Sequence, residues 1–245
     1  MENALLIGLS RQTALRNQLS MVANNLANMN TNGFKAQRLL FEEYLMPVAE
    51  ASEFETGDQV YSYVLDYGQS SNFQPGSISI TENPFDIALE GEGFMVVQTP
   101  AGERYTRDGA LHLDATGQLV TSQGLPVLGE GGPVTFAANE TDITIAEDGT
   151  ISSSLGQRGR LRVVEFDNPQ FLERVGDNLF AGENPLPADN VTVLQGAIEK
   201  SNVSGVIEVT RMIEITRAYT SVSKMLSEGN ELRKTAIERL GTVQA

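Results

Sequence analysis

The sequence predicts an α+β protein: N- and C-terminal amphipathic helices that pair in coiled-coil fashion, and between them a central all-β domain of sandwich or barrel-like type. Three observations predict it. None of the nine prolines lies in residues 1–46 or 188–245, the stretches whose helix interiors would exclude proline. Apolar residues recur every three or four positions in those stretches and every second position between them. Of the 23 glycines, 16 fall between Gly76 and Gly196, where short strands need tight turns. The expected division is a helical domain over 1–34 and 200–245, an extended connector over 35–75 and a β-domain over 76–199.

The first helix carries its apolar residues on one seam. Met1, Leu5, Gly8, Gln12, Leu15, Leu19, Val22, Leu26 and Met29 step by four and three throughout, with Gly8 and Gln12 as soft positions. Asn28-Met-Asn-Thr-Asn-Gly33 is turn chemistry and ends the helix. The last helix repeats the logic with Met212, Ile215, Tyr219, Val222 and Leu226, extended to Ala236 and Leu240 across the weak positions Gly229 and Arg233. Ser201 or Asn202 is the expected N-cap, and Glu208 sits in the early turns where the helix dipole favours it. Each helix presents an apolar stripe that must be covered, so neither is stable alone. Pairing the two covers both stripes, and the ends are expected to order fully only against neighbouring copies.

Between the helices the period is two. Ser77–Thr81, Gly93–Gln98, Ala110–Asp114, Asp142–Ala146, Gly159–Phe166 and Asn190–Leu194 read as short strands. Asp114-Ala-Thr-Gly117, Gly131-Gly-Pro133, Glu147-Asp-Gly-Thr150 and Asn168-Pro169 separate them as turns. In the connector, Phe41, Tyr44, Leu45, Tyr61, Tyr63 and Tyr67 are scattered among acidic and small residues, which suits an extended segment or a long hairpin.

Composition excludes several functions. Lysine plus arginine is 17 against 32 aspartate plus glutamate, and a formal charge of −15 repels phosphate backbones, so nucleic acid is no partner. With no cysteine and His112 the one histidine, a disulfide framework, a thiolate nucleophile and a histidine-rich zinc site are excluded. No apolar run approaches the ~20 residues of a transmembrane helix. Nor does the N-terminus carry a basic segment before Ala4–Leu9, as a cleaved signal would.

No catalytic constellation is legible. Asp86, Glu90 and Glu92 offer carboxylates for glycoside hydrolysis, but strand alternation puts Asp86, Ala88 and Glu90 on one solvent face. His112 alternates with Leu111 and Leu113 as an exposed strand residue, without a Gly-x-Ser-x-Gly elbow to serve. Gly91-Glu-Gly93 lacks the third glycine of a dinucleotide fingerprint, and the Asp114 and Glu147 turns lack the ligand density of a calcium loop. The expectation is no catalytic, cofactor-binding or metal-binding residue, and no cofactor.

Three separated segments carry a resemblance. Ala23-Asn-Asn-Leu-Ala-Asn28, Asn30-Thr31 and Gly33-Phe-Lys35 form the first. Asp86, Gly91-Glu-Gly-Phe94, Tyr105-Thr-Arg107, Gly109, Gly117-Gln-Leu-Val-Thr121, Gly124 and Val127-Leu-Gly129 form the second. Gly196-Ala-Ile-Glu-Lys-Ser-Asn-Val203, with Met212-Ile213, Arg217, Tyr219 and Lys224, forms the third. Together they resemble the signatures of the flagellar rod, hook and hook-associated protein family. The length, the opening Glu2-Asn-Ala-Leu5 and the single β-domain are most similar to its proximal rod members. Distal rod members are the alternative, and a secreted carbohydrate-active β-protein is the competing reading of a different class.

The resemblance implies a structural, non-enzymatic subunit of the basal-body rod, the hollow shaft that crosses the periplasm and drives the hook and filament. It implies export by the flagellar type III apparatus without a cleaved signal peptide, other rod subunits as partners, terminal helices in an inner tube and an outward β-domain. The residues expected to carry assembly are Leu19, Val22, Asn24, Asn25, Leu26 and Asn28 with Met212, Ile215, Tyr219, Val222 and Leu226. Asn24, Asn25 and Asn28 are read as register devices at subunit contacts, as a buried asparagine is in a coiled coil.

Overall fold

A computed structural model describes residues 2–45, 62–188 and 190–242. Met1 of the seam and residues 46–61 of the connector lie outside the described residues. The chain forms two compact units, one of Met1–Leu26, Gln37–Ser70 and Gly205–Ala245, the other of Ala27–Ala36 and Ser71–Ser204.

The first unit holds helix α1, Glu2–Ala27, and helix α2, Gly205–Thr242. Strands Gln37–Leu45 and Ser62–Ser71 pair in a two-stranded sheet, so this part of the connector is a ribbon. α1 stops at the asparagine turn as the sequence predicts, where Thr31 N donates to Asn28 O at 3.1 Å. The start of α2 differs from expectation. It begins at Gly205, after Ser204, and neither Ser201 nor Asn202 stands at the cap position. Ser201 Oγ instead accepts from Val203 N at 3.2 Å, and the Asn202 side chain is drawn into contacts upstream. No helix among the described residues is long and apolar enough to cross a membrane.

The second unit is built on a six-stranded antiparallel sheet. Its spatial order is Glu173–Gly176, Leu179–Ala181, Gly102–Thr106, Phe94–Thr99, Val163–Glu165 and Leu186–Pro187. Along Phe94–Thr99, Met95 and Val97 enter one apolar cluster with Ile87, Leu111, Leu119 and Ile151. Phe94 and Val96 enter a second cluster with Tyr105, Leu172 and Phe180. This strand is covered on both faces, which is why its apolar residues run without alternation. Rings of the second cluster meet edge to face, with Tyr105 and Phe166 centroids 4.8 Å apart and Phe94 and Phe180 5.9 Å apart.

The predicted strand Gly159–Phe166 is two strands. Gly156–Arg160 ends a three-stranded sheet, and Val163–Glu165 joins the six-stranded one. The break falls at Leu161, which is buried with its N–H on Gly149 O at 2.8 Å, while Arg162 N turns to Leu128 O at 3.1 Å. Asp86 and Ala88 also depart from the solvent face assigned to them: both are buried, and Glu90 alone is exposed. The Asp86 carboxylate accepts from Thr81 Oγ1 at 2.6 Å and Asn83 Nδ2 at 2.9 Å, which makes it a turn organiser. His112 is exposed between Leu111 and Leu113, as alternation predicts. Asp114 Oδ1 closes its hairpin by accepting from Thr116 N at 2.8 Å and Gln118 N at 2.9 Å.

The ends of this unit pair with its beginning. Ala197–Glu199 is antiparallel to Ile78–Ile80, and Thr192–Gln195 to Ile87–Glu90. Phe94→Ala is expected to lower unfolding stability by about 3–5 kcal/mol in denaturant titration, the cost of an aromatic removed from a packed core.

Candidate assembly site

α1 and α2 meet inside the first unit. A β-carbon on Gly8 would lie 2.7 Å from Leu226 Cδ2, and Asn25 Nδ2 lies 3.4 Å from Glu208 Oε2. The two contacts run in opposite sequence order, so the helices are antiparallel. Val22 and Val222 are buried, and Leu19, Leu26, Met212, Ile215, Tyr219 and Leu226 are half-buried. Gly8 was expected to be a soft position and is a tight one, since its missing side chain makes the hole that Leu226 fills. Past the lapse at Gly229 and Arg233, Ala236 and Leu240 are exposed and the expected seam does not continue.

The three asparagines separate. Asn25 is buried and holds the Gln37 backbone on both sides, donating to its O at 3.0 Å and accepting from its N at 2.9 Å. Asn28 accepts from Thr31 Oγ1 at 3.1 Å and shapes the turn, while Asn24 is exposed. A second apolar stripe, unremarked in the sequence reading, lies exposed on α2 at Val206, Val209 and Ile213. Its spacing of three and four was the signal that could have found it.

Within the second unit, residues from all three signature segments converge on one carboxylate. Lys35 Nζ lies 2.7 Å from Glu199 Oε1, and Arg107 Nη1 lies 3.2 Å from Glu199 Oε2. All three side chains are at most 2% exposed. Gly76 N donates to Glu199 Oε1 at 2.7 Å, and Lys35 Nζ also donates to Gln74 O at 2.9 Å. Arg107 donates to Leu89 O and Gly91 O and lies 5.3 Å from the centre of the Phe94 ring. Burial pushes the Lys35 ammonium and the Arg107 guanidinium below their ordinary pKa ranges, and the Glu199 charge and hydrogen bonds oppose that.

Backbone contacts complete this latch. Gly33 N donates to Glu199 O at 2.8 Å, and Ala36 N to Asn202 Oδ1 at 2.7 Å. Asn202 Nδ2 reaches the carbonyls of Asn72 and Gln74, each at 2.8 Å. Gly33 has φ +65°, and any β-carbon there would overlap the Arg107 carbonyl and Asp108 N. Arg174 stacks 4.2 Å from the centre of the fully buried Phe34 ring. The latch thus ties the segment entering this unit, the one returning at Ser71 and the one leaving toward Gly205. Sequence reasoning quoted Lys35, Arg107 and Glu199 as motif members without finding that they are partners. Among the described residues, no group of histidine or acidic side chains could hold a metal ion.

Residues 5–35 match the family described as "Flagella basal body rod protein". Residues 88–153 match "Flagellar hook protein FlgE/F/G D1 domain", and residues 194–239 match "Flagellar basal body rod FlgEFG protein C-terminal". The flagellar basal-body rod protein FlgF of Caulobacter vibrioides is 40% identical, over 99% of this chain and 100% of that one. FlgF of Rhizobium meliloti is 32% identical, over 98% and 99%. The rod protein FlgG of Buchnera aphidicola subsp. Acyrthosiphon pisum is 37% identical, over 87% and 90%. The matched segments contain Lys35, Arg107 and, in the last, Glu199.

Glu199→Gln is expected to destabilise the second unit by about 3–5 kcal/mol in denaturant unfolding, because two cations stay buried without their counter-charge. Adding Lys35→Met to that variant is expected to return part of the loss, which a double-mutant cycle reads directly.

Proposed function

This chain belongs to the flagellar basal-body rod protein family and is a structural subunit of the rod, and we propose that it holds a proximal place there. In this reading it polymerises through its terminal helices into a hollow shaft across the periplasm, driven by the motor. One observation carries the assembly step. Helices from opposite ends of the chain meet seam to seam, while α2 keeps a second apolar stripe exposed to neighbours. A helix apolar on two sides needs two partners, and one chain supplies one of them.

The antiparallel register supports pairing of α1 with the earlier part of α2 as a coiled-coil-like element. Buried Val22, Asn25 and Val222 then act by shaping the helix pair. Leu19, Leu26, Met212, Ile215, Tyr219 and Leu226 lie at its half-buried margins, where neighbouring subunits add cover. Asn24 faces outward, and Asn28 sets the turn from which the chain enters the β-domain. Such contacts repeat by a screw operation and are heterologous, so they propagate along the shaft. The proximal place is favoured over the distal one by the full-length match to FlgF, against coverage of 87% and 90% for the FlgG relative.

Leu26→Asp is expected to give a soluble protein with an intact β-domain that is missing from isolated basal bodies, in cells that do not swim. Normal swimming by this variant would overturn the assembly role of the helices. Cross-linking in basal bodies to distal rather than proximal rod neighbours would overturn the placement.

A further inference from the structure

Asn32-Gly33 is the one Asn-Gly pair in the chain. Such a pair is chemically unstable, because glycine has no side chain to shield its amide nitrogen from the asparagine before it. Gly33 N bonds to Asn32 Cγ, and its proton leaves with the side-chain amide group as ammonia. Water then opens the cyclic imide at either carbonyl. One opening gives aspartate; the other gives isoaspartate, in which the main chain runs through the side-chain methylene.

The fold withholds the nucleophile. Thr31–Phe34 is a closed turn, with Phe34 N donating to Thr31 O at 3.4 Å and Asn32 and Gly33 at its centre. Gly33 is buried, fixed at φ +65°, and its N–H is committed to Glu199 O at 2.8 Å. The Asn32 carbonyl accepts from Asn178 Nδ2 at 3.0 Å. Both hydrogen bonds must break before Gly33 N can turn toward Cγ. The Asn32 side chain, by contrast, is half-buried and makes no hydrogen bond among the described residues.

We propose that Asn32 is a self-modification site that the Glu199 latch keeps shut, and that isoaspartate formed there bars the latch from closing again. The first half follows from the committed Gly33 N–H: reaction needs an opened turn, so its rate tracks the open fraction. The second half follows from length. Isoaspartate adds one carbon–carbon bond, about 1.5 Å, to the main chain between Thr31 and Gly33. The former Asn32 carbonyl becomes a carboxylate off the main chain. Gly33 N then cannot meet Glu199 O while Asn178 holds the Asn32 oxygen, since neither bond survives a stretch of that size. Aspartate leaves the backbone as it was and replaces an amide that has no partner, so it is tolerated. The site therefore marks chains that have stayed open, and the mark outlasts refolding conditions.

The test follows Asn32 in the full chain by peptide mass spectrometry during incubation at mildly alkaline pH, with isoaspartate read by enzymatic methylation. Wild type is expected to deamidate there about tenfold or more slower in native buffer than in denaturant. Glu199→Gln in native buffer is expected to approach the denatured rate. Should that variant not fold, Asn178→Gly frees the Asn32 carbonyl at a residue already at φ +57°, and the same acceleration is expected. Wild type aged in denaturant is then returned to native buffer and challenged with protease. Isoaspartyl chains are expected to be cut, while unmodified chains, aspartyl chains and a directly made Asn32→Asp variant resist. Equal rates in native buffer and denaturant, or no product in denaturant, overturn the site. A folded latch variant that deamidates no faster than wild type overturns the latch as its guard. Protease resistance of isoaspartyl chains, or sensitivity of Asn32→Asp, overturns the block on closing.

Discussion

The Glu199 carboxylate is the constraint on which the rest of the β-unit depends. Two cations from distant parts of the chain are buried beside it, and neither could remain there without a counter-charge. Ion pairs at this depth add little net stability, because desolvation offsets attraction. Their effect is on uniqueness: any other arrangement of these segments strands a charge in the interior. Lys35 must therefore lie beside the strand Ala197–Glu199, and Arg107 must reach under Gly91 to meet it. The glycines nearby follow from this closeness, since a side chain on Gly33 would push the backbone off Arg107.

The helical unit follows a different logic. Its contact is apolar and graded: a few positions are fully buried, most are half-buried, and one glycine admits a leucine from across the seam. Asn25 is the polar exception, binding both backbone groups of Gln37 where the chain begins its two-stranded ribbon. A buried amide satisfied by backbone fixes one local geometry, as an apolar residue there would not. The two units thus combine a rigid polar latch with a seam that leaves apolar surface on its outer side. A subunit that must keep its own shape and yet add to a polymer needs both.

Much of this was legible in the residues. Proline exclusion and the four-three step located both helices, and the asparagine turn ended the first one where the structure ends it. The period-two segments located strands at Ile78–Ile80 and Leu111–Leu113, and the apolar run of Phe94–Thr99 located a third. Periodicity failed at Gly159–Phe166, where alternation persists although Leu161 changes sheets, because a pattern of side chains does not record which backbone accepts the hydrogen bond. It failed at Asp86 for a related reason. A carboxylate reads as solvent-facing until Thr81 and Asn83 are seen to supply its donors. Asn202 looked like a helix cap because capping is its commonest local use, and a tertiary partner at Ala36 outbid that use.

By itself, the sequence determined the order of elements, the two amphipathic faces, the hairpin turns and the exclusion of cysteine chemistry, all set by local spacing and composition. The tertiary structure alone decided which charges are neighbours, which glycines are indispensable and which apolar stripes stay uncovered. Lys35, Arg107 and Glu199 are far apart in the chain, and nothing in their local context encodes their distance. Burial is a property of what packs against a residue, and only the folded chain supplies that.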